Sequence, residues 1–210
     1  MKIVAYLVII TFFTSCSTTK LVDFWKSTET PEYESNKILV IGMSSDASVR
    51  RAFEEEVSKS LEREGVVAVR SIDFFENAFQ VAERTEKEMD LVENSLLEAG
   101  FDSVLFSKVT SSEEKVTMTQ AISNFSNEFL NFKEYYVENQ NIYTSRQTNS
   151  YKVFHTETSV FCICEDKERE LLWKGAIDLV APEKPIIAIK QYVRVLLNSL
   201  EENEIVIVKD

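Results

Sequence analysis

The chain has 210 residues, of which 44% are hydrophobic and 11% aromatic, and its formal net charge is −12. This length and composition suffice for one globular domain with a substantial core. The negative charge would repel the phosphates of DNA or RNA, which argues against nucleic-acid binding.

The first sixteen residues have the pattern of a bacterial lipoprotein signal. Lys2 precedes a largely apolar stretch over residues 3–13, which is too short to span a bilayer. The four residues FTSC, ending at Cys16, resemble the lipobox, in which small residues precede a cysteine that becomes acylated. An ordinary signal peptide followed by an unmodified cysteine is the alternative. We therefore expect residues 1–15 to be removed and Cys16 to carry the lipid, and Ser17 resembles the residue that permits sorting to the outer membrane.

Residues 16–36 are predicted to be a lipidated tether that lifts the domain off the membrane. The stretch is polar, contains Pro31 and shows no sustained hydrophobic periodicity. The globular domain is therefore expected to begin at Lys37 and to occupy residues 37–210, with an excursion over residues 121–150.

A βαβαβ unit is predicted after the tether. Residues 37–42, KILVIG, are almost continuously apolar, which is typical of a central strand covered on both faces. The helix that follows carries apolar residues at four-residue spacing: Val49, Phe53, Val57 and Leu61. A strand over residues 66–72, a helix near 84–99 and a strand over 101–110 repeat the same unit. A right-handed crossover would make the strands parallel.

Antiparallel structure is predicted for the second half of the chain. Residues 151–165 and 170–180 are expected to form a long hairpin joined by a charged turn. One face of its second strand is predicted to be buried, with Leu171, Trp173, Ile177 and Leu179. A helix opened by Pro182 and Pro185 and a last strand over residues 204–208 complete the chain. The predicted fold is α/β with an α+β tail, built on one mixed sheet.

Several motifs resemble those of small, Bacteroidetes-like outer-membrane lipoproteins that carry a domain of unknown function. They are the lipobox, the KILVIG strand, R-x-x-F-E at residues 50–54, A-G-F-D-x-V-L at 99–105 and E-L-L-W-K-G at 170–175. The layout is also similar to the periplasmic α/β domains of curli-secretion and penicillin-binding-protein-activator lipoproteins, which bind other proteins. The resemblance implies a lipid-anchored protein that faces the periplasm or the cell surface and binds an envelope protein. Phe53 and Trp173 look like packing positions, so it implies no catalytic residue.

No catalytic constellation is found in the sequence. His155 is the only histidine, and no G-x-S-x-G motif accompanies it, so we expect no enzyme activity. A metal site formed by His155, Cys162 and Cys164 is disfavoured, because in a regular strand the two cysteines face one side and the histidine the other. A bulge would restore that alternative. We expect the two cysteines to be small core thiols and the protein to need no cofactor or metal.

The segment from Gly42 to Asp46 joins a strand to the start of a helix, where free N–H groups could hold an anion. No phosphate-loop motif follows, and Asp46 would repel a phosphate, so a helix cap is the favoured interpretation. A small-ligand-binding or hydrolytic pocket near Gly42 and His155 remains the alternative function.

One helical face of the excursion is aromatic at spacing i, i+4, i+7 and i+11, formed by Phe125, Phe129, Phe132 and Tyr136. Such a face usually packs in the core, and the alternative is a surface that binds a partner. The favoured function is a non-enzymatic protein-interaction or envelope-assembly accessory domain, anchored at the outer membrane through Cys16.

Overall fold

A computed structural model describes residues 19–75, 85–113, 132–140, 153–163, 170–180 and 185–207. The strands are β1 (Thr19–Lys26), β2 (Tyr33–Glu34), β3 (Lys37–Met43), β4 (Val67–Arg70), β5 (Ser103–Glu113), β6 (Val153–Cys162), β7 (Leu171–Val180) and β8 (Ile205–Val206). The helices are α1 (Ala47–Arg63), α2 (Ser71–Phe74), α3 (Glu86–Glu98), α4 (Phe132–Asn139) and α5 (Pro185–Glu202).

Six strands form one mixed sheet in the order β1-β7-β6-β5-β3-β4. β3 lies between β4 and β5 and runs parallel to both, as the repeated βα unit predicted. The pairs β5/β6, β6/β7 and β7/β1 are antiparallel, and β6 with β7 is the predicted hairpin. β2 and the last strand, β8, form a separate two-stranded parallel sheet. The predicted fold class is therefore confirmed.

The prediction that the ordered chain begins at Lys37 is wrong. β1 pairs with β7 from Thr19, opposite Leu179, to Lys26, opposite Trp173. It forms one edge of the main sheet, and most of its residues are only half buried. An edge strand of this kind can be polar and weakly periodic, because it is covered less completely than a central strand.

Helices cover both faces of the main sheet. On the first, the α1/α5 face, α1 contributes Phe53, Val57 and Leu61, and α5 contributes Tyr192, Leu196 and others. On the second, the α3/α4 face, the buried helix residues are Met89, Leu96, Tyr135 and Tyr136. β3 supplies alternate residues to the two clusters: Ile38 and Val40 to the first, Leu39 and Ile41 to the second. The KILVIG strand is therefore buried on both sides, as predicted.

The predicted cap at the start of α1 is confirmed. The carboxylate of Asp46 accepts hydrogen bonds from the backbone N–H groups of Ser48, at 2.8 Å, and Val49, at 3.1 Å. It also accepts a hydrogen bond from the Ser48 hydroxyl. All three bonds lower the pKa of Asp46, and the bond from the Ser48 hydroxyl has the largest effect. Asp46 thus satisfies donors that the first turn of the helix leaves unpaired.

Trp173 is fully buried, as predicted, and shares the α1/α5 face with Ile177. Leu171 belongs to the cluster on the opposite face, so its predicted placement beside Trp173 is wrong. Val160 pairs with Trp173 and the next residue of β6 pairs with Leu171, which leaves Leu172 as an extra residue in β7. This bulge reverses the alternation of side chains that a regular strand would have.

α4 lies within the predicted excursion over residues 121–150. Tyr136 is 1% exposed and packs among the residues of the α3/α4 face. That is what the core interpretation expects, and the interpretation of Tyr136 as a partner-binding residue is wrong. Phe125 and Phe129 lie outside the described residues, and of Phe132 only the backbone position at the start of α4 is described.

Candidate functional site

The carboxyl ends of β3 and β5 are the part of the sheet where a ligand site is most expected. β3 leads into α1 on one face of the sheet, whereas α4, which follows β5, packs on the other face. Adjacent parallel strands whose following helices lie on opposite faces form a crevice at their carboxyl ends.

A partly open pocket of about 100 Å³ lies at the carboxyl end of β3, beside the middle of β5. Its apolar walls come from β3, α1, β5, β7 and α5, and include Gly42, Val49, Phe53, Val109, Leu179 and Ile189. A closed cavity of about 150 Å³ can hold a benzene molecule. The pocket is therefore large enough for the end of an apolar chain or for part of an aromatic group, and it is too small to enclose a drug-sized ligand.

The absence of a side chain at Gly42 shapes the pocket wall. A Cβ at this position would lie 2.9 Å from Cδ1 of Phe53, closer than such atoms approach each other. The ring of Phe53 can therefore pack directly on β3. Its other neighbour is the ring of Tyr192, which meets it edge-on with 5.7 Å between the centroids.

The hydroxyl groups beside the pocket are hydrogen-bonded within the protein. The hydroxyl of Tyr192 shares a hydrogen bond with Ser107, at 2.9 Å, and another with Thr158. Thr156 donates to the backbone carbonyl of Ile177 at 2.6 Å. Burial raises the pKa of the Tyr192 hydroxyl, so this group stays neutral at physiological pH.

Arg50, which lines the pocket, is held in a buried ion pair. Nε of Arg50 lies 2.8 Å from Oε1 of Glu54, and its Nη2 donates to Ser71 at 2.8 Å. Glu54 is fully buried and also accepts the N–H groups of Gly42 and Ile72, each at 3.0 Å. This network joins α1 to the ends of β3 and β4, and it explains the R-x-x-F-E motif as a structural feature.

His155 does not line the pocket, so the hypothesis that it shares a site with Gly42 is wrong. Its neighbour Thr156 faces the pocket, and adjacent residues of a strand face opposite sides of a sheet. On the α3/α4 side, Nδ1 of His155 lies 2.6 Å from Oδ1 of Asp178, directly across the β6/β7 pair. The histidine is therefore separated from the apolar walls by the sheet itself.

A second charged cluster, which sequence reasoning missed, lies on the α3/α4 face. The carboxylate of Glu157 lies 3.1 Å from the ammonium groups of both Lys108 and Lys174, and it accepts the hydroxyl of Tyr135 at 3.0 Å. Burial acts to raise the pKa of Glu157, but the two lysines outweigh it and the pKa is lowered. The alternation of polar residues in β6 is compatible with such a cluster, but the partners of Glu157 come from other elements of the fold, which no local pattern identifies.

Cys162 is fully buried in the α1/α5 cluster, as predicted, but it is not a free thiol. It is disulfide-bonded, which the sequence did not predict. Within the described ranges no three His, Cys, Asp or Glu side chains come together as a metal site would require.

None of the described helices is long and apolar enough to cross a membrane.

No protein-family model matches the chain, and no curated protein matches it. Among solved structures it is similar to the PelC dodecamer from Paraburkholderia phytofirmans, with a TM-score of 0.43 and 8% identity over 92% of this chain and 99% of that chain. It is also similar to the lipoprotein GNA1162 from Neisseria meningitidis, with a TM-score of 0.36 and 14% identity over 78% and 96% of the two chains. At these values the likeness assigns no function to the chain.

Proposed function

We propose that this protein is a lipid-anchored protein of the bacterial cell envelope whose folded domain binds an apolar group and is not an enzyme. The pocket at the carboxyl end of β3 carries this proposal. Its walls are mainly apolar, and the polar residues that line it are bonded to other groups of the protein: Ser44, Arg50, Ser107, Lys108, Thr156 and Tyr192. Catalysis would need a nucleophile, an acid or a base whose side chain points into the pocket, and the bonded state of these polar groups therefore supports a binding role.

The anchor is proposed from the sequence. Cys16 ends the lipobox-like segment, and β1 begins three residues later, at Thr19. Three extended residues span about 10 Å. A lipid on Cys16 would therefore hold the domain directly at the membrane surface. Ser17 supports sorting to the outer membrane, where an accessory role towards another envelope protein is part of the same proposal.

Methyl NMR would test whether the pocket binds apolar groups. The chain from Ser17 onwards, which contains all the described residues, is titrated with hexanol while the methyl signals of valine, leucine and isoleucine are followed. We expect saturable shifts at Val49, Val109, Leu179 and Ile189, because these side chains line the pocket. Absence of a saturable shift at these four residues would contradict the proposal.

A pocket-blocking variant provides the control. Val109 is half buried at the pocket wall, so Val109→Trp should fill the space and abolish the shifts. Val67→Trp places the same side chain at an exposed position at the start of β4, at the opposite end of the parallel strands. This variant should leave the hexanol-induced shifts unchanged. Equal hexanol binding by both variants would show that the probe binds elsewhere.

A further inference from the structure

The first residue of β1 lies next to the pocket. Thr19 pairs with Leu179, a residue of the pocket wall, and its hydroxyl donates to Oε1 of Gln191 in α5 at 3.2 Å. The start of β1 is thus bound to two of the elements that form the pocket. Because Cys16 precedes Thr19 by three residues, it lies within about 10 Å of this place.

Two exposed isoleucines lie at the start of α5, one of the helices that form the pocket. Ile186 and Ile187, in the first turn of α5, are 46% and 44% exposed, and Ile189, two residues farther along the helix, lines the pocket. Single exposed apolar residues are common on protein surfaces. Here two adjacent ones begin the helix that contributes Ile189 to the pocket, and we call the surface formed by Ile186, Ile187 and the pocket mouth the apolar edge.

We propose that the apolar edge docks on the bilayer in which Cys16 is anchored, with Ile186 and Ile187 entering the interface and the pocket receiving the end of a membrane acyl chain. This inference rests on the proposed lipid anchor and names the group that the pocket binds. Docking would remove the isoleucines and the pocket walls from water, which is favourable. The anchor would promote it further by keeping the edge at a high effective concentration near the lipid.

The length of the connection selects the membrane over other occupants. With about 10 Å between Cys16 and Thr19, there is no room for a protein partner between the anchored lipid and this edge. Asp46 is exposed at the same edge and the whole chain carries a charge of −12, so the contact is apolar and is not an attraction to anionic headgroups.

Photo-crosslinking from single positions tests the docking. The full chain is produced in a Gram-negative host with p-benzoylphenylalanine at position 187, and membrane vesicles are irradiated. The matched control carries the same group in place of Val67, which is 55% exposed at the opposite end of the parallel strands. We expect phospholipid adducts, detected by mass spectrometry, to be severalfold more abundant at position 187 than at position 67.

The outcomes separate this inference from the proposed function. Fatty-acid labelling of Cys16 is measured in the same vesicles. A labelled protein that forms equal lipid adducts at both positions, or that crosslinks at position 187 to protein in place of lipid, would overturn the docking and leave the anchor intact. An unlabelled protein would overturn both proposals.

Discussion

The indole ring of Trp173 lies directly over the α-carbon of Gly175, two residues farther along β7. A Cβ at position 175 would lie 2.0 Å from Cη2 of the ring and 2.5 Å from Cζ2. Trp173 is fully buried, so its ring has no free space into which it could move. The spacing of tryptophan and glycine in E-L-L-W-K-G is therefore a packing requirement.

Gly175→Ala should destabilise the domain by about 1–3 kcal/mol, because the added methyl group overpacks the core beneath the ring. Chemical denaturation of the variant and the wild type measures this difference. In a Trp173→Phe background the smaller ring leaves room for the methyl group, so the same substitution should cost less. An equal cost in both backgrounds would show that the ring is not the obstacle.

Glu54→Gln should destabilise the domain strongly, by about 3–5 kcal/mol, because it removes the negative charge that is paired with the buried guanidinium of Arg50. The neighbouring Glu55 offers a matched control. It pairs with Lys59 at 2.5 Å, but its side chain is 43% exposed, and Glu55→Gln should leave the stability almost unchanged. Thermal unfolding of the two variants compares the sites, and similar losses would contradict the assignment of a buried structural pair.

Glu157 should make stability depend on pH in the acid range. Its folded-state pKa lies below the ordinary value of 4.5, so its contribution is fully present above that pH and is lost as the pH falls through the folded pKa. The free energy of unfolding of the wild type should therefore exceed that of Glu157→Gln near pH 7, and the difference should shrink towards pH 3. A difference that stays constant with pH would show that the carboxylate charge is not the cause.

Cys16→Ala should abolish incorporation of a clickable fatty acid, because the thiol that would carry the lipid is missing. Gel fluorescence after labelling growing cells measures the incorporation. Cys164→Ala is the control for a nonspecific effect of losing a cysteine and should retain the label. Label that persists in Cys16→Ala would remove the basis for the anchor.

The sequence predicted the elements whose signals are local. Continuous apolarity identified β3, four-residue spacing identified α1, and Asp46 identified its first turn, because each pattern reflects contacts of that segment alone. β1 was missed because its structure comes from pairing with β7, more than 140 residues away. The bulge at Leu172 was missed for a similar reason, since only the pairing with β6 reveals the extra residue.

The pocket was only partly predictable. Gly42 was recognised as the end of a strand that could border a site, and it lines the pocket. Leu179 and Ile189 come from the far end of the chain, and no local pattern connects them with Gly42. His155 was grouped with Gly42 because it is the only histidine in the sequence and a histidine-dependent hydrolase would have to use it. The alternation of side chains in β6 places it on the other face of the sheet.

The docking of the apolar edge on the membrane is tested most directly by hydroxyl-radical footprinting of the unmodified, lipid-anchored protein in phospholipid vesicles. Ile186, Ile187 and Val67 have similar exposures of 46%, 44% and 55%, so in water their side chains should be oxidised to comparable extents. The measured quantity is the oxidation of Ile186 and Ile187 divided by the oxidation of Val67. We predict that this ratio is severalfold lower for the lipid-anchored protein on vesicles than for the chain from Ser17 onwards without lipid. An unchanged ratio would contradict the account, because the edge would then face water.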